Sequence, residues 1–262
     1  MPDISVITIV RNDLPALAGT AASVLSQSGV DYEFIVVDGS DTPDTTQIHH
    51  QLKAAGAQLL IGLDSGIYDA MSKGATAAVG QYLIFMNAGD SFASPTSLKA
   101  LFDCLTRGGH QWAYARAAVM RDGRPWRKPV GIYPYWTIRH AYARAAICHQ
   151  SVLMSRSLYL ALGGFDPVYG LQADVALLLA AGRAAKPGVL RQVEVHYDAT
   201  GISTVHVESA LRNKSRIRSD LFSYRATARA LDSVFTEAQW RYVKLRQRLA
   251  RVKLALLHRR TR

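Results

Sequence analysis

The chain has 262 residues, 49% hydrophobic and 19% charged, which leaves ample apolar material for a core and excludes a disordered tail protein. Its net charge of +11 is unevenly placed, because residues 1–206 hold 16 basic and 16 acidic side chains while 207–262 hold 15 basic and four acidic. A neutral body has no surplus to meet phosphate backbones, so nucleic acid is not expected as a partner and any polyanion contact belongs to the C-terminal segment.

Only Cys104 and Cys148 are present, without CxxC spacing. That usage suits a reducing compartment and reads as two buried thiols. The opening MPDISVITIVRND carries neither a basic n-region nor a small-residue cleavage site, and no run of about 18 apolar residues occurs. The expectation is a cytoplasmic protein, peripheral at the inner face of the cell membrane if its basic tail docks there.

In chain order, ISVITIV at 4–10 reads as a first strand. Asn12 or Asp13 can cap the next helix, with Pro15 in its first turn and Leu14, Leu17, Ala18, Ala21, Val24 and Leu25 as its buried stripe. YEFIVVDG at 32–39 is a second strand, followed by a helix around Thr45–Ala55 that Gly56 can end. QLLIGL is a third strand, GIYDAMSKGATAA a short helix, and YLIFMNA at 82–88 a fourth strand. The segment 108–147 is less regular, with Trp112, Trp126, Tyr133, Tyr135 and Trp136 among basic residues and prolines; it reads as strands and loops over the cleft, either as an acceptor-facing surface or as aromatics packed under loops. HQSVLM at 149–154 reads as a strand, RSLYLALGG as a helix, FDPVYG as a turn and ADVALLLAAG as a helix ending at Gly182. Alternating strands and amphipathic helices predict an α/β fold with a single, mainly parallel Rossmann-like sheet flanked by helices.

In such open sheets ligands sit beyond the carboxyl ends of the strands, and Asp38, Asp64 and Asp90 stand at three of those ends. One loop acid is ordinary turn chemistry; three at one edge point to a site. Asp69 and Lys73 lie four apart on one helix face, either as a surface ion pair or as a phosphate- and sugar-binding pair at a helix start. Asp90 in NAGD can give a carboxylate oxygen to Mg2+ or Mn2+ on a diphosphate, with Asn87 or Asp64 nearby. Asp174 opens an apolar helix, as a dipole-complementing acid or as a general base. His149 and Gln150 can donate to substrate oxygens, although a histidine among apolar residues is more often a core residue.

With these residues in place, the sequence resembles the inverting family 2 glycosyltransferases of GT-A fold, in particular the bacterial polysaccharide branch with colanic-acid-type enzymes. The likeness spans roughly 3–206 and is carried by ISVITIVRND, EFIVVDGSDTPDTT, DSGIYDAMSKG, GQYLIFMNAGD, ICHQSVLMSRSLYLALGGFD, QADVALLL and TGIST. The resemblance implies a GT-A domain over 1–206 that moves a sugar from a UDP- or GDP-type donor to a hydroxyl of a lipid-linked or polysaccharide acceptor. It implies that Thr8, Arg11, Asp38 and Ser40 line the nucleotide pocket, and that Asp64, Asp69 and Lys73 approach ribose, diphosphate and sugar. Asp90 takes the last place of the metal-binding DxD-like element, Asn87 its first, Asp174 the place of the catalytic base, and His149 with Gln150 the acceptor side. The alternatives are a nucleotidyltransferase, for which a Gly-rich lysine-bearing first loop is missing, and a binding module without transferase activity, favoured by Asn87 and Arg11.

The last segment, 207–262, reads as a basic amphipathic helical extension. Residues 238–262 hold nine Lys or Arg and no acid, and Tyr242, Leu245, Leu249, Val252 and Leu256 form a heptad-like seam. An anionic membrane surface is the first expectation for this segment; a helix packed on the body or on a second copy, giving a homo-oligomer, is the other.

Overall fold

The computed structural model describes residues 1–41, 45–143, 147–198 and 207–260. Its backbone divides into two compact units, Met1–Val168 with Ala173–Gly201, and Tyr169–Gln172 with Ile202–Arg262. The TGIST run and residues 42–44 of the second motif lie outside the described residues.

The first unit is built on a nine-stranded sheet. Its centre is β1 (Ile4–Val10), buried along its whole length, flanked in parallel by β2 (Tyr32–Asp38) and β4 (Tyr82–Phe85), with β3 (Gln58–Ile61) outside β2. A near-continuous apolar strand is what a parallel strand covered on both faces requires, and the two polar residues of β1, Ser5 and Thr8, are buried with their hydroxyls bonded to Glu33 and to the Met86 carbonyl. The covering helices are α1 (Leu14–Leu25), α2 (Thr46–Ala54), α3 (Ile67–Ala77) and α4 (Ser97–Arg107). Asp13 caps α1 through a 3.1 Å bond from Ala16 N–H, and Leu17, Ala21 and Val24 are buried as the periodicity predicts, whereas Leu14 is half-buried and Ala18 and Leu25 are exposed. Helix α3 lies close to the sheet at Gly74, where a Cβ would meet the Ile7 side chain; larger residues would push the helix away.

Past β4 the sheet is mixed. β8 (Val152–Ser155) is antiparallel to β4 and to β6 (Trp112–Arg121); β6 is parallel to β9 (Gly188–Asp198), and the short β5 (Ser91–Phe92) pairs with β9. β7 (Arg124–Val130) folds back on β6 as a hairpin. Two reversals return β6 and β9 to the direction of β1–β4, so the carboxyl ends of all six strands open on one edge. Three further helices belong to this unit: α5 (Thr137–Tyr142), α6 (Arg156–Ala161) and α7 (Ala173–Ala184).

Several boundaries differ from the sequence reading: α7 runs past Gly182 to Ala184 and β3 ends at Ile61 rather than Leu63. β4 stops at Phe85, although Met86 and Ala88 still donate to Ile7 and Ile9 carbonyls, so the chain follows β1 while turning Asn87 out of the ladder. His149–Ser151 is a single 3-10 turn, and the strand starts only at Val152.

The second unit contains α8 (Val207–Leu221) and α9 (Ala226–Arg260). Arg218 grips Asp232 bidentately, Nε to Oδ1 at 2.7 Å and Nη2 to Oδ2 at 3.0 Å, with both side chains buried and Nη2 also 3.0 Å from Thr236 Oγ1. Breaking such a pair from one side costs about 3–5 kcal/mol, because the other charge stays buried. Tyr242, Leu245 and Leu249 of the seam are exposed, together with Leu231 and Val234; the side chains of Val252 and Leu256 lie outside the described residues.

Candidate active site

At the β1–β2 end the two loops are sewn together. Asn12 N–H donates to Ser40 Oγ at 2.8 Å, Asn12 Nδ2 to Asp41 Oδ1 at 2.8 Å, and Asp41 N–H returns a bond to Asn12 Oδ1 at 3.2 Å. Asn12 adopts a left-handed φ of 56°, which Asn tolerates better than most residues. Arg11 stands exposed, 3.7 Å from Asp41. Asp38 is buried at the end of β2, its Oδ1 accepting Ser40 N–H at 2.8 Å and its Oδ2 lying 2.7 Å from His49 Nε2. Thr8, expected to line the pocket, is wholly buried and donates to Met86 carbonyl at 2.7 Å. It presents no surface to a ligand; its hydroxyl ties β1 to the chain leaving β4.

Asp64 rests against Gly39, where any Cβ would collide with its carboxylate, and accepts Gly66 N–H at 2.9 Å. Asp69 accepts Ser65 N–H at 2.8 Å and pairs with Lys73 at 2.9 Å, while Lys73 also donates to Leu63 carbonyl at 2.9 Å. The Ser65 bond first, then Lys73, lower the Asp69 carboxyl below its ordinary value. Both sequence readings of this pair meet here: it is an ion pair, and it fixes the loop that carries Asp64.

Four residues from distant parts of the chain form one connected series. Asn87 Nδ2 lies 3.4 Å from His149 Nε2, His149 Nδ1 lies 3.2 Å from Asp174 Oδ2, and Tyr68 OH donates to Asp174 Oδ1 at 3.1 Å. Val175 N–H adds a fourth link to the same oxygen at 2.8 Å. Burial pushes the Asp174 carboxyl up, but bonds from His149, Val175 and Tyr68 outweigh it and the net shift is downward. An ionised carboxylate only accepts, so His149 carries its hydrogen on Nδ1. The Asp174 side chain keeps 19% of its surface open to solvent.

The next residue along serves the other acid. Gln150 Nε2 donates to Asp90 Oδ2 at 2.7 Å, Asp198 N–H donates to Oδ1 at 2.9 Å, and Cys148 Sγ supports Gln150 Oε1 at 2.7 Å. The 3-10 turn thus sends adjacent side chains to two different carboxylates. Asp90 is 4% exposed, and burial, only partly offset by the Asp198 and Gln150 donors, pushes its carboxyl up to about 7. Thr20 of α1 holds the loop from behind, donating to Asp90 carbonyl at 2.7 Å and accepting Gly89 N–H at 3.0 Å.

Oxygen chemistry decides whether these residues suit a hard divalent cation. Each Asp90 oxygen receives one donor and keeps a lone pair, and Asn87 Oδ1 is buried without a partner. Among the described residues no group of three or more His, Cys, Asp or Glu gathers around one point. One carboxylate and one amide oxygen are the sparse protein contribution that Mg2+ accepts when substrate phosphates and water complete its shell. The donor set fits.

Tyr68, Thr20, Asp198 and the Asn12–Asp41 clasp were not singled out by sequence. Thr20 had a signal, a polar residue three after Leu17 inside an apolar stripe. The period-two alternation of 192–197 marks the last part of a strand that ends at Asp198. Tyr68 had none.

An α/β domain with acids converging at the carboxyl edge of its sheet is the class defined so far, and the comparisons narrow it. The family model for glycosyl transferase family 2 matches residues 5–157, and the chain belongs to that family; it is a glycosyltransferase. An uncharacterized glycosyltransferase of Mycobacterium tuberculosis is 29% identical over 84% of this chain and 84% of its own. A PGL/p-HBAD biosynthesis glycosyltransferase of Mycobacterium bovis is 26% identical over 66% of this chain and 67% of its own. Among solved structures, S. aureus TarS 1–349 in complex with UDP superposes with TM-score 0.63 at 14% identity, over 83% of this chain and 65% of that one. A mannosyltransferase from Pyrobaculum calidifontis in complex with GDP-Man and Mn2+ does so with TM-score 0.61 at 15% identity, over 86% of this chain and 65% of that one. This chain spans just under two thirds of each solved chain, and the likeness establishes the GT-A fold.

Proposed function

We propose that the chain is an inverting transferase that moves a sugar from a nucleoside-diphosphate sugar of UDP or GDP type to a hydroxyl of a polysaccharide or lipid-linked acceptor. The observation that carries this reading is the pair of carboxylates served by one turn, Asp174 through His149 and Asp90 through Gln150.

Asp174 is the base. It is ionised at neutral pH, partly open to solvent, and oriented by three donors, so it meets the geometric demand on a group that takes a proton from an attacking hydroxyl. In a single displacement the acceptor oxygen bonds to the anomeric carbon, the bond from that carbon to the diphosphate oxygen breaks, and the hydroxyl proton passes to Asp174. Charge grows on the leaving diphosphate. A divalent cation bound there supplies electrostatic stabilisation of that charge. Asp90 and Asn87 are the residues that would hold it, and Gln150, Asp198 and Thr20 fix Asp90 so that no reorganisation is needed during the reaction.

The nucleotide is assigned to the β1–β3 side. Ser40 is the side chain offered to the base and ribose, with the buried Asp38 holding it through the Ser40 N–H, Arg11 is the exposed cation beside them, and Asp64, Asp69 and Lys73 shape the loop that receives diphosphate and sugar. The Mn2+ and GDP-Man held by the Pyrobaculum structure and the UDP held by TarS support a metal-assisted nucleotide-sugar donor for this chain as well. For the tail, the run of cations beside exposed Tyr242, Leu245 and Leu249 supports docking on an anionic bilayer. Among the described residues no helix is long and apolar enough to cross a membrane.

A panel of UDP- and GDP-sugars titrated calorimetrically with and without Mn2+ tests the donor reading. One nucleotide series should bind at least about tenfold tighter with metal. Absence of binding by every nucleotide sugar, with and without metal, contradicts it.

A further inference from the structure

The neutral balance of residues 1–206 conceals a local surplus. Between 116 and 139 stand six cations, Arg116, Arg121, Arg124, Arg127, Lys128 and Arg139, against the single acid Asp122. The β6–β7 hairpin carries most of them, and every residue from Arg121 to Lys128 is exposed. Among the described residues no carboxylate lies within ion-pair distance of Arg121, Arg124, Arg127, Lys128 or Arg191. Isolated cations of this kind are normally scattered or neutralised on a surface; here they are grouped around aromatic rings. The Arg121 guanidinium lies 4.4 Å from the centre of the Trp126 ring, Arg127 lies 5.6 Å from the same ring, and Arg191 lies 4.6 Å from the Tyr133 ring. Trp126 and Tyr133 are about half exposed, 49% and 54%.

The backbone sets the Arg121–Lys128 end of the hairpin beside the site, while Tyr133 and Arg191 lie further back along the sheet, level with Tyr114–Arg116 of β6. In the ladder Val119 faces Arg127 and Met120 faces Pro125, which leaves Trp126 as the extra residue of a β-bulge. Bulges of this kind re-aim a side chain, often next to active sites. Met120 is also in register with Asp198, whose N–H holds Asp90, so the hairpin leaves the sheet one residue beyond the support of a site carboxylate. Along the carboxyl edge the strand order runs β3, β2, β1, β4, β8, β6. The proposed nucleotide residues stand at the ends of β1, β2 and β3, Asp90 follows β4, His149, which holds Asp174 of α7, comes just before β8, and the hairpin lies beyond them on the opposite side.

Resting on the transferase reading above, we propose that the Arg121–Lys128 end of the β6–β7 hairpin, with Trp126 at its bulge, is the docking surface for the acceptor, and that the acceptor it fits is an acidic glycan. Guanidinium groups pair with carboxylate or phosphate groups on the sugar chain through parallel N–H bonds, and the half-exposed Trp126 ring offers a flat apolar edge to the sugar rings between those charges. A bilayer is the less suitable partner, because the tip that would meet it first is Asp122–Gly123 flanked by arginines and presents no apolar residue to insert.

The test uses the full chain with hexagalacturonate as the acidic probe and maltohexaose as its neutral counterpart, read by calorimetry, with UDP and GDP titrated in parallel. Hexagalacturonate should bind and maltohexaose should bind at least about tenfold more weakly, with the acidic interaction weakening as salt is raised. The variant Arg121→Gln/Arg127→Gln should lose about tenfold or more in hexagalacturonate affinity while its nucleotide affinity is unchanged, which separates this inference from the donor reading. Arg124→Gln/Lys128→Gln, changed only at exposed β7 positions, serves as a second variant should the first not fold. Equal binding of both probes, or loss of binding in Lys244→Gln/Arg246→Gln of the tail instead of in the hairpin variants, would overturn the proposal. So would failure to bind hexagalacturonate combined with hairpin-dependent binding to phosphatidylglycerol vesicles.

Discussion

Tyr68 and His149 act on Asp174 from opposite sides, and each can be removed without emptying the site. Tyr68→Phe keeps the ring that packs 5.2 Å from Phe165 and deletes only the hydroxyl donor. A hydrogen bond to a charged group contributes about 1.5–3 kcal/mol, so kcat should fall by roughly tenfold or more with donor KM little changed. Because the lost bond lowers the Asp174 pKa, the acid limb of the kcat profile should also move to higher pH; an unmoved limb with unchanged kcat would remove Tyr68 from the positioning set. The same shift has a stability counterpart. The folded pKa of Asp174 lies below its ordinary value of 3.8, so the stability from ionised Asp174 is present above that value and lost as pH falls through the folded one. The Tm gap between wild type and Asp174→Asn should therefore shrink on acidification.

At the scale of elements, the loop after β4 depends on a helix separated from it by β2, α2, β3, α3 and β4. Thr20 reaches from α1 to bind both Asp90 carbonyl and Gly89 N–H. Thr20→Val preserves shape and leaves those groups unpaired, at a cost of about 1–3 kcal/mol in thermal or denaturant unfolding, and metal-dependent donor affinity should fall with it. Unaltered stability and affinity would show that the loop holds itself. This element also marks the limit of what sequence displays. The first four strands and their helices announce themselves by apolar runs and caps, because burial on both faces forces that pattern. β9 alternates only over 192–197, because Val189–Leu190 and Arg191–Gln192 break the period, and β5 has only two residues, too few for any period. The acids Asp38, Asp64, Asp90 and Asp174 were legible from strand ends and motif order. Their partners were not, since Tyr68 to Asp174 and Asp198 to Asp90 are contacts across 106 and 108 positions that only the closed sheet creates. Thr8 goes the other way: the family resemblance implies a pocket wall there, whereas its side chain is buried and bonded to the Met86 carbonyl.

For the whole molecule, the charge of +11 resolves into three parts: a balanced catalytic unit, a basic hairpin within it, and a helical segment whose last 25 residues carry no acid. If the tail docks on anionic lipid, replacing Arg241, Lys244 and Arg246 by Gln should weaken flotation with phosphatidylglycerol vesicles, at about 1 kcal/mol for each cation that meets the surface. Flotation equal to wild type would remove the bilayer as its partner. The central claim is tested most directly by Asp174→Asn in the full chain, with nucleotide-sugar affinity and sugar transfer measured on the same preparation. The expected result is donor binding within about twofold of wild type and transfer reduced by about 10²–10⁴-fold, the range that loss of a general base produces. Transfer at the wild-type rate with Asn at position 174 would contradict it.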